Sequence, residues 1–352
     1  MSSSQVFTET RTQDVTDSSP SAWIRTVLGD IAEVPKGVVY SHEHLIIDSP
    51  LIAERFPHIH LDSVDAAVAE VNESVAAGAA LFVDCMPCSA GRDITRLAQI
   101  SERTRTPVIA ATGLHHDRYY GPLHWSNRVS DDELADLFVA DLEEGVDAFD
   151  YTGPIVRRTK WRAGIVKVAT SGERLDIRDE RNLRAAAQAS LRTGAPILTH
   201  CENGEGALAQ IESLTKAGVP AGSIILSHVD KHRNLTYLKD IAATGAILEC
   251  DQTLREHGRG LDSPGLKLIT ALVDAGYGQQ IIVGTDGARR SLWRSLNGNP
   301  GLSWLASTLP SRLHAAGLSA SEAGRVLRDN AVQALTWRNV KEAEETTDRG
   351  KK

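Results

Sequence analysis

Six side chains that could bind metal ions or move protons stand next to short apolar runs of the sequence. Four are imidazoles, one is an amine and one is a carboxylate: His42, His44, His200, His228, Lys167 and Asp286. Imidazole nitrogen and carboxylate oxygen suit zinc, and also manganese, cobalt or iron. A protonated lysine is no metal ligand, but its reaction with carbon dioxide gives a carbamate whose two oxygens can bridge two cations. These residue types therefore favour a metal centre.

Each of these residues alone also has an ordinary structural explanation. A histidine at a strand end is more often a hydrogen-bonded structural residue, Lys167 could extend its amine to the surface, and Asp286 could cap a helix. The complete set is harder to explain in this way. Twelve histidines placed at random along the chain would rarely put four of them at the ends of these apolar runs in this order. The set as a whole therefore indicates a metal site.

The elements that must position these side chains are eight short, β-branched runs. They cover residues 38–40, 80–85, 108–112, 165–168, 196–199, 224–227, 246–249 and 281–284. Stretches with the apolar spacing of helices lie between them, at 64–77, 94–103, 132–144, 180–192, 207–217, 235–243 and 266–275, and closing helices are predicted at 300–309 and 319–335. Continuously apolar strands that alternate with helices are typical of a parallel sheet covered on its outer face.

This alternation predicts an α/β fold, a (β/α)8 TIM barrel with a short N-terminal β-hairpin over residues 21–36 at the bottom of the barrel. Two α/β domains are the alternative, but the first run leads into Ser41-His42-Glu43-His44 instead of a Gly-x-Gly-x-x-Gly turn. In a barrel the active site lies at the carboxyl ends of the strands, where the six candidates would meet. The barrel is predicted over residues 21–338, between a disordered tail at 1–20 and a polar tail at 339–352.

Composition and charge exclude several other functions. The 352 residues carry 38 Lys and Arg against 46 Asp and Glu, a net charge of -8, with no basic block suited to nucleic acid or anionic lipid. No apolar run approaches the ~20 residues needed to cross a bilayer, and the polar start is no secretory signal. Four cysteines are too few for a disulfide framework and are expected to be buried and inert. A cytoplasmic protein without nucleic-acid or membrane partners is predicted.

The order of the motifs resembles the phosphotriesterase-like branch of the amidohydrolase superfamily. The resemblance covers residues 21–338 and rests on Ser41-His42-Glu43-His44, the run 165–172 around Lys167, Thr199-His200, Ser227-His228-Val229-Asp230 and Gly284-Thr285-Asp286. It implies two divalent metal ions, zinc first and manganese, cobalt or iron as alternatives. His42, His44 and Asp286 would bind the buried metal. His200 and His228 would bind the more exposed one, and Lys167, as N6-carboxylysine, would bridge both.

A second set of residues is similar to a lactonase subgroup of this branch. The stretch Asp286-Gly287-Ala288-Arg289-Arg290, followed by Trp293 and Asn299-Pro300-Gly301-Leu302, implies activity on sugar-derived, sometimes phosphorylated, lactones. Two departures argue against an organophosphate hydrolase. Gln252 follows Asp251 where those enzymes carry a histidine, and Lys231 follows Asp230 where they continue with acidic residues.

We therefore predict a binuclear metal-dependent lactonase, in which a metal-activated hydroxide attacks the lactone carbonyl and Asp286 accepts and returns the proton. Carboxylic ester or amide hydrolysis ranks second, and organophosphate hydrolysis third. The non-catalytic alternative is a binding or regulatory barrel in which the metal ions only stabilise the fold. Such a protein would be expected to lack a metal ligand or the catalytic base, and this sequence has both.

Cations after the sixth and eighth runs predict how the substrate is bound. Lys231, Arg289 and Arg290 are expected to bind the carboxylate or phosphate of an anionic lactone, and Trp293 to contact the same substrate. The alternative is that these are solvated loop charges that contribute little. A small molecule is thus the expected partner, and a homodimer is the expected assembly.

Overall fold

The computed structural model describes residues 22–338, and the two predicted tails, 1–20 and 339–352, lie outside the described residues. The described chain begins with an antiparallel hairpin of β1 (Ala22–Thr26) and β2 (Gly29–Ile31), in which Ile24 pairs with Ile31. The hairpin lies against the amino ends of the barrel strands, since the N–H of Val27 donates to the carbonyl of Val108 at 2.8 Å. The predicted N-terminal hairpin at the bottom of the barrel is therefore confirmed.

Eight parallel strands follow in sequence order, each paired with the next along the chain. They are β3 (Val38–Glu43), β4 (Ala79–Asp84), β5 (Val108–Leu114), β6 (Ile165–Thr170), β7 (Ile197–Cys201), β8 (Ile224–Ser227), β9 (Ile247–Cys250) and β10 (Ile281–Val283). The N–H groups of Thr285 and Asp286 donate to the carbonyl of His42, at 3.2 and 3.0 Å, and so join the last strand to the first. The fold is the predicted (β/α)8 TIM barrel, not two α/β domains.

Helices cover the outer face of the sheet. Their bounds are α1 Pro50–Arg55, α2 Val64–Ala76, α3 Ile94–Thr104, α4 Asp131–Glu143, α5 Ile177–Thr193, α6 Ala207–Lys216, α7 Leu235–Ala243, α8 Pro264–Leu272, α9 Trp304–Ser307, α10 Leu309–Ala315, α11 Ala320–Gly324 and α12 Asn330–Leu335. Local signals fix several ends: a capping box of Ser130 and Glu133 starts α4, and Gly194, at φ 84°, ends α5. In the described part of the chain, no helix combines the length and the apolar character that a membrane span requires.

The last part of the described chain differs from its prediction at one helix. A helix was expected over residues 300–309, but α9 begins only at Trp304. Gly301 is in the left-handed region at φ 89°, and Glu70 of α2 accepts a hydrogen bond from the N–H of Leu302 at 3.0 Å. This segment is therefore held as a loop against α2. After α12, the short strand β11 (Trp337–Arg338) pairs with β1 and completes the bottom layer.

Candidate metal centre

A cavity of about 330 Å³ opens at the carboxyl ends of the barrel strands. All six residues that were predicted to form the metal site line this cavity: His42, His44, Lys167, His200, His228 and Asp286. They come from five different strands or strand ends, spread over more than 240 positions of the sequence. The barrel therefore brings the complete set together.

An extra residue in β3 turns two of these side chains into the barrel. Tyr40 and Glu43 are three residues apart, but their pairing partners on β4 are only two apart, which defines a β-bulge. In a regular strand, Tyr40, His42 and His44 would share one face. Here Tyr40 packs in the layer between sheet and helices, where its hydroxyl donates to the carbonyl of Leu302, while the two histidines line the cavity.

One group of possible ligands is formed by His42, His44 and Asp286, which offer one ligand atom each within 4.8 Å of one another. Nε2 of His44 lies 3.6 Å from Oδ1 of Asp286. Nδ1 of His44 is buried and has no hydrogen-bond partner among residues 22–338. Two imidazoles and one carboxylate around a common point form a donor set that suits a divalent cation.

Carboxylates lie beside the outer ring nitrogens of His42, His200 and His228, and those of His42 and His200 are hydrogen-bonded to them. Nδ1 of His42 lies 2.7 Å from Oε2 of Glu249, and Nδ1 of His228 lies 2.7 Å from Oδ2 of Asp251. Nε2 of His200 lies 2.8 Å from Oε2 of Glu202. A carboxylate that accepts the proton of one ring nitrogen leaves the lone pair of the other nitrogen free for a cation.

The nitrogens left free by these contacts face inward. Nδ1 of His200 lies 2.9 Å from Nε2 of His228, so the two free nitrogens meet in the cavity wall. Burial lowers the pKa of His42, His200 and His228 well below the usual value for histidine, which keeps the rings neutral at neutral pH. The set therefore fits a centre for two cations, with His42, His44 and Asp286 on one side and His200 and His228 on the other.

Lys167 lies in β6, inside the barrel. Because side chains alternate along a strand, it shares the inward face with Ile165 and is 1% exposed. Nζ of Lys167 donates a hydrogen bond to Oγ of Ser227 at 3.3 Å, and no other hydrogen bond of this amine is found among the described residues. Burial lowers the pKa of Lys167, although the neighbouring Cys85 and Glu249 act in the opposite direction. A neutral amine in this position is the form that reacts with carbon dioxide.

Asp286 has a cationic partner that sequence reasoning missed. Nη1 of Arg255 lies 2.9 Å from Oδ2 of Asp286, and Nη2 donates to the backbone carbonyl of the same residue at 2.7 Å. Burial acts to raise the pKa of Asp286, but the Arg255 guanidinium and the contact with His44 hold this pKa well below the usual value. Arg255 lies in the irregular loop after β9. Its contact with Asp286, which follows β10, cannot be predicted from a local sequence pattern.

The predicted substrate residues divide into two pairs. Lys231 and Arg289 line the cavity, together with Arg118 and Arg255. Arg290 and Trp293 do not line it. Arg290 instead donates to the carbonyl of His60 at 2.7 Å on the outside of the site.

Trp293 is 1% exposed, and its Nε1 donates to the carbonyl of Gly287 at 2.7 Å. This indole therefore braces the loop after β10 from within. The sequence placed Arg290 and Trp293 correctly in that loop, but the direction of a loop side chain depends on packing that a local sequence does not reveal.

Comparison with known proteins gives one family and several similar chains. The model of the phosphotriesterase family matches residues 22–335. The chain is 33% identical over 231 residues to a phospho-furanose lactonase of Mycoplasmopsis agalactiae, an alignment that spans 65% of this chain and 65% of the relative. The chain thus covers just under two thirds of the length of that relative.

Two solved structures are similar over nearly the whole chain. One is an amidohydrolase from Mycoplasma synoviae, with a TM-score of 0.85 and 28% sequence identity, covering 94% of this chain and 98% of the other. The second is a lactonase from Listeria monocytogenes, with a TM-score of 0.81 and 26% identity, covering 90% of this chain and 100% of the other.

Proposed function

The chain belongs to the phosphotriesterase family, and on this premise we propose that it is a binuclear metal-dependent lactonase that opens an anionic, sugar-derived lactone. The observation that carries the proposal is the orientation of the histidine rings. Carboxylates of Glu202, Glu249 and Asp251 lie 2.7 to 2.8 Å from the outer nitrogens, and the remaining nitrogens converge on one cavity. The name of the Mycoplasmopsis agalactiae relative, a phospho-furanose lactonase, supports the same substrate class.

The proposed cofactors are two divalent metal ions, zinc first, with manganese, cobalt or iron as alternatives. His42, His44 and Asp286 would hold one ion and His200 and His228 the other, with Lys167 as N6-carboxylysine between them. When bound, such ions lower the pKa of a bound water to about 7 and polarise a carbonyl oxygen. The phosphotriesterase family is binuclear and metal-dependent, which supports this donor set.

Within this site, Asp286 is the residue that would take the proton from the attacking water and return it to the alkoxide that leaves. Its position is fixed from both sides, because its N–H donates to the carbonyl of His42 and its own carbonyl accepts from Arg255. Arg255 also contacts Oδ2 at 2.9 Å, which leaves Oδ1 as the oxygen beside His44. A carboxylate held in this way moves little between accepting and donating a proton.

The cations at the cavity mouth favour an anionic substrate. Lys231 and Arg289 line this space in a protein whose net charge is -8, whereas Arg118 and Arg255 beside them are paired with Glu202 and Asp286. Cations concentrated at the mouth would draw an anion inward against the overall repulsion. A lactone that carries phosphate or carboxylate remote from its carbonyl matches this arrangement.

Replacing Arg289 by alanine should raise KM for an anionic lactone by about one to two orders of magnitude, the effect expected for a charged hydrogen bond. KM for the neutral analogue should change little. Steady-state kinetics on the charged and neutral lactones measures both values. Lys267→Ala removes an exposed cation outside the cavity, paired with Asp262, and serves as the matched control. Equal losses on both lactones in Arg289→Ala would mean that Arg289 only supports its loop.

A substrate screen separates the proposed activity from its alternatives. Protein loaded with zinc or manganese is assayed against anionic and neutral lactones, carboxylic esters, amides and phosphotriesters. The highest kcat/KM is expected for an anionic furanose-type lactone, with phosphotriesters far below it, because Gln252 and Lys231 stand where organophosphate hydrolases carry histidine and acidic residues. Phosphotriesters as the best substrates would contradict the assignment.

The location and assembly of the protein stay predictions. The four cysteines Cys85, Cys88, Cys201 and Cys250 are free and buried, as expected for inert thiols, which agrees with the predicted reducing cytoplasm. The predicted homodimer is measurable by sedimentation equilibrium.

A further inference from the structure

His115 lines the cavity directly after β5, and neither the metal centre nor the proton transfer uses it. The residue is 7% exposed. Its ring packs edge-on against Tyr119, with centroids 4.4 Å apart, and its centroid lies 5.2 Å from that of His200. Among the groups of three side chains within residues 22–338 that could hold a metal ion, none includes His115. A buried imidazole in this place requires another explanation.

Three hydrogen bonds fix the position of His115. Its N–H donates to the hydroxyl of Tyr120 at 2.7 Å, and its carbonyl accepts from Nη2 of Arg178 at 2.7 Å. The third bond holds the side chain itself, because the N–H of His116 donates to Nδ1 of His115 at 2.7 Å. Backbone and ring are thus held in one orientation at the cavity wall.

The third bond also determines which ring nitrogen carries the proton. A backbone N–H can only donate, so Nδ1 of His115 must accept and cannot hold a proton. The neutral ring therefore carries its proton on Nε2. Nε2 of His115 forms no hydrogen bond with any of the described residues and is accessible from the cavity. A donor that is positioned so tightly and left without a protein partner is suited to a ligand.

We propose that His115 is a specificity residue whose Nε2–H donates to a hydroxyl oxygen of the substrate. This inference rests on the proposed function and adds to it a choice of substrate. Because the His115 ring adjoins His200, with centroids 5.2 Å apart, the hydroxyl would lie close to the reacting carbonyl. His115 thereby selects hydroxylated, sugar-type lactones over unsubstituted aliphatic ones.

The test uses ring-opened acids, which bind without being hydrolysed. Isothermal titration calorimetry on metal-loaded protein compares a pentonic acid, which is hydroxylated at every carbon after the carboxylate, with valerate, which has the same chain without hydroxyls. His115→Phe keeps a ring against Tyr119 and removes the donor, and should weaken pentonate binding about three- to tenfold. Valerate binding should be unchanged. His115→Gln places an amide donor near the position of Nε2 and should restore most of the pentonate affinity.

Several results would overturn the inference. Equal weakening of pentonate and valerate in His115→Phe would show that His115 only supports the cavity wall, and so would a pentonate affinity that does not change. Loss of metal from His115→Phe, measured by elemental analysis, would make the residue a ligand. Failure of wild-type protein to hydrolyse any lactone would refute the proposed function. In that case, the difference between the two acids would still decide the role of His115.

Discussion

Replacement of Asp286 by asparagine is expected to lower turnover by about 10²–10⁴-fold while metal remains bound, because an amide can no longer accept a proton. The substitution is well matched to the site. Asp286 is in the left-handed region at φ 44°, a conformation that asparagine also adopts. Its backbone contacts with His42 and Arg255 do not depend on the side chain and should persist. The expected loss is therefore chemical, not conformational.

Single-turnover and steady-state hydrolysis of an anionic lactone, together with elemental analysis of bound metal, measures this effect. Asp262→Asn makes the same chemical change at a carboxylate that is 90% exposed and should leave turnover near the wild-type value. A metal-loaded Asp286→Asn protein with near-normal turnover would remove Asp286 from its role as proton acceptor.

Replacement of Lys167 by alanine should remove most of the binuclear metal occupancy, and hydrolysis with it. An unmodified ammonium next to two divalent cations would be repelled by several kcal/mol even at an effective dielectric constant near ~20. The lysine must then be neutral or carbamylated, and only the carbamate offers two oxygens for two ions. Lys167 is buried and is held only through Ser227 in the described chain, so its amine is free for that reaction.

Metal content per chain and residual activity measure the effect of Lys167→Ala, and acetate or formate in the buffer should partly restore both. Lys167→Met fills the same space inside the barrel and separates loss of the ligand from loss of packing. It should unfold near the temperature of metal-free wild-type protein and still fail to bind two metals. Carbamate formation is followed by NMR after addition of isotopically labelled bicarbonate. Unmodified Lys167 in an active protein with two metals would refute the bridge.

The barrel and the six metal-site residues of its cavity could be predicted from the sequence because both depend on local patterns. Alternation along β6 places Lys167 beside Ile165, and parallel strands carry every residue at a carboxyl end to the same rim. These two rules were sufficient to predict the positions of His200, His228 and Asp286. The two histidines of β3 were expected to share one face, which is correct, but the bulge that turns them inward and Tyr40 outward has no sequence signal.

Contacts between distant segments could not be predicted in this way. Glu249 was recognised at the end of a strand, but its contact with His42 joins residues 207 positions apart. Glu202, two residues after His200, could have been found by extending the search just beyond the strand end. Arg255 and Trp293 lie in irregular loops, whose path depends on packing against other elements.

Stepwise metal addition to chelated protein tests the central claim most directly. Chelation should abolish hydrolysis of an anionic furanose-type lactone. Titration with zinc or manganese should then restore hydrolysis, with saturation at two equivalents per chain. A protein that binds two metal ions per chain yet hydrolyses no lactone, ester, amide or phosphotriester would contradict a catalytic role for the centre. The metal ions would then only stabilise the fold.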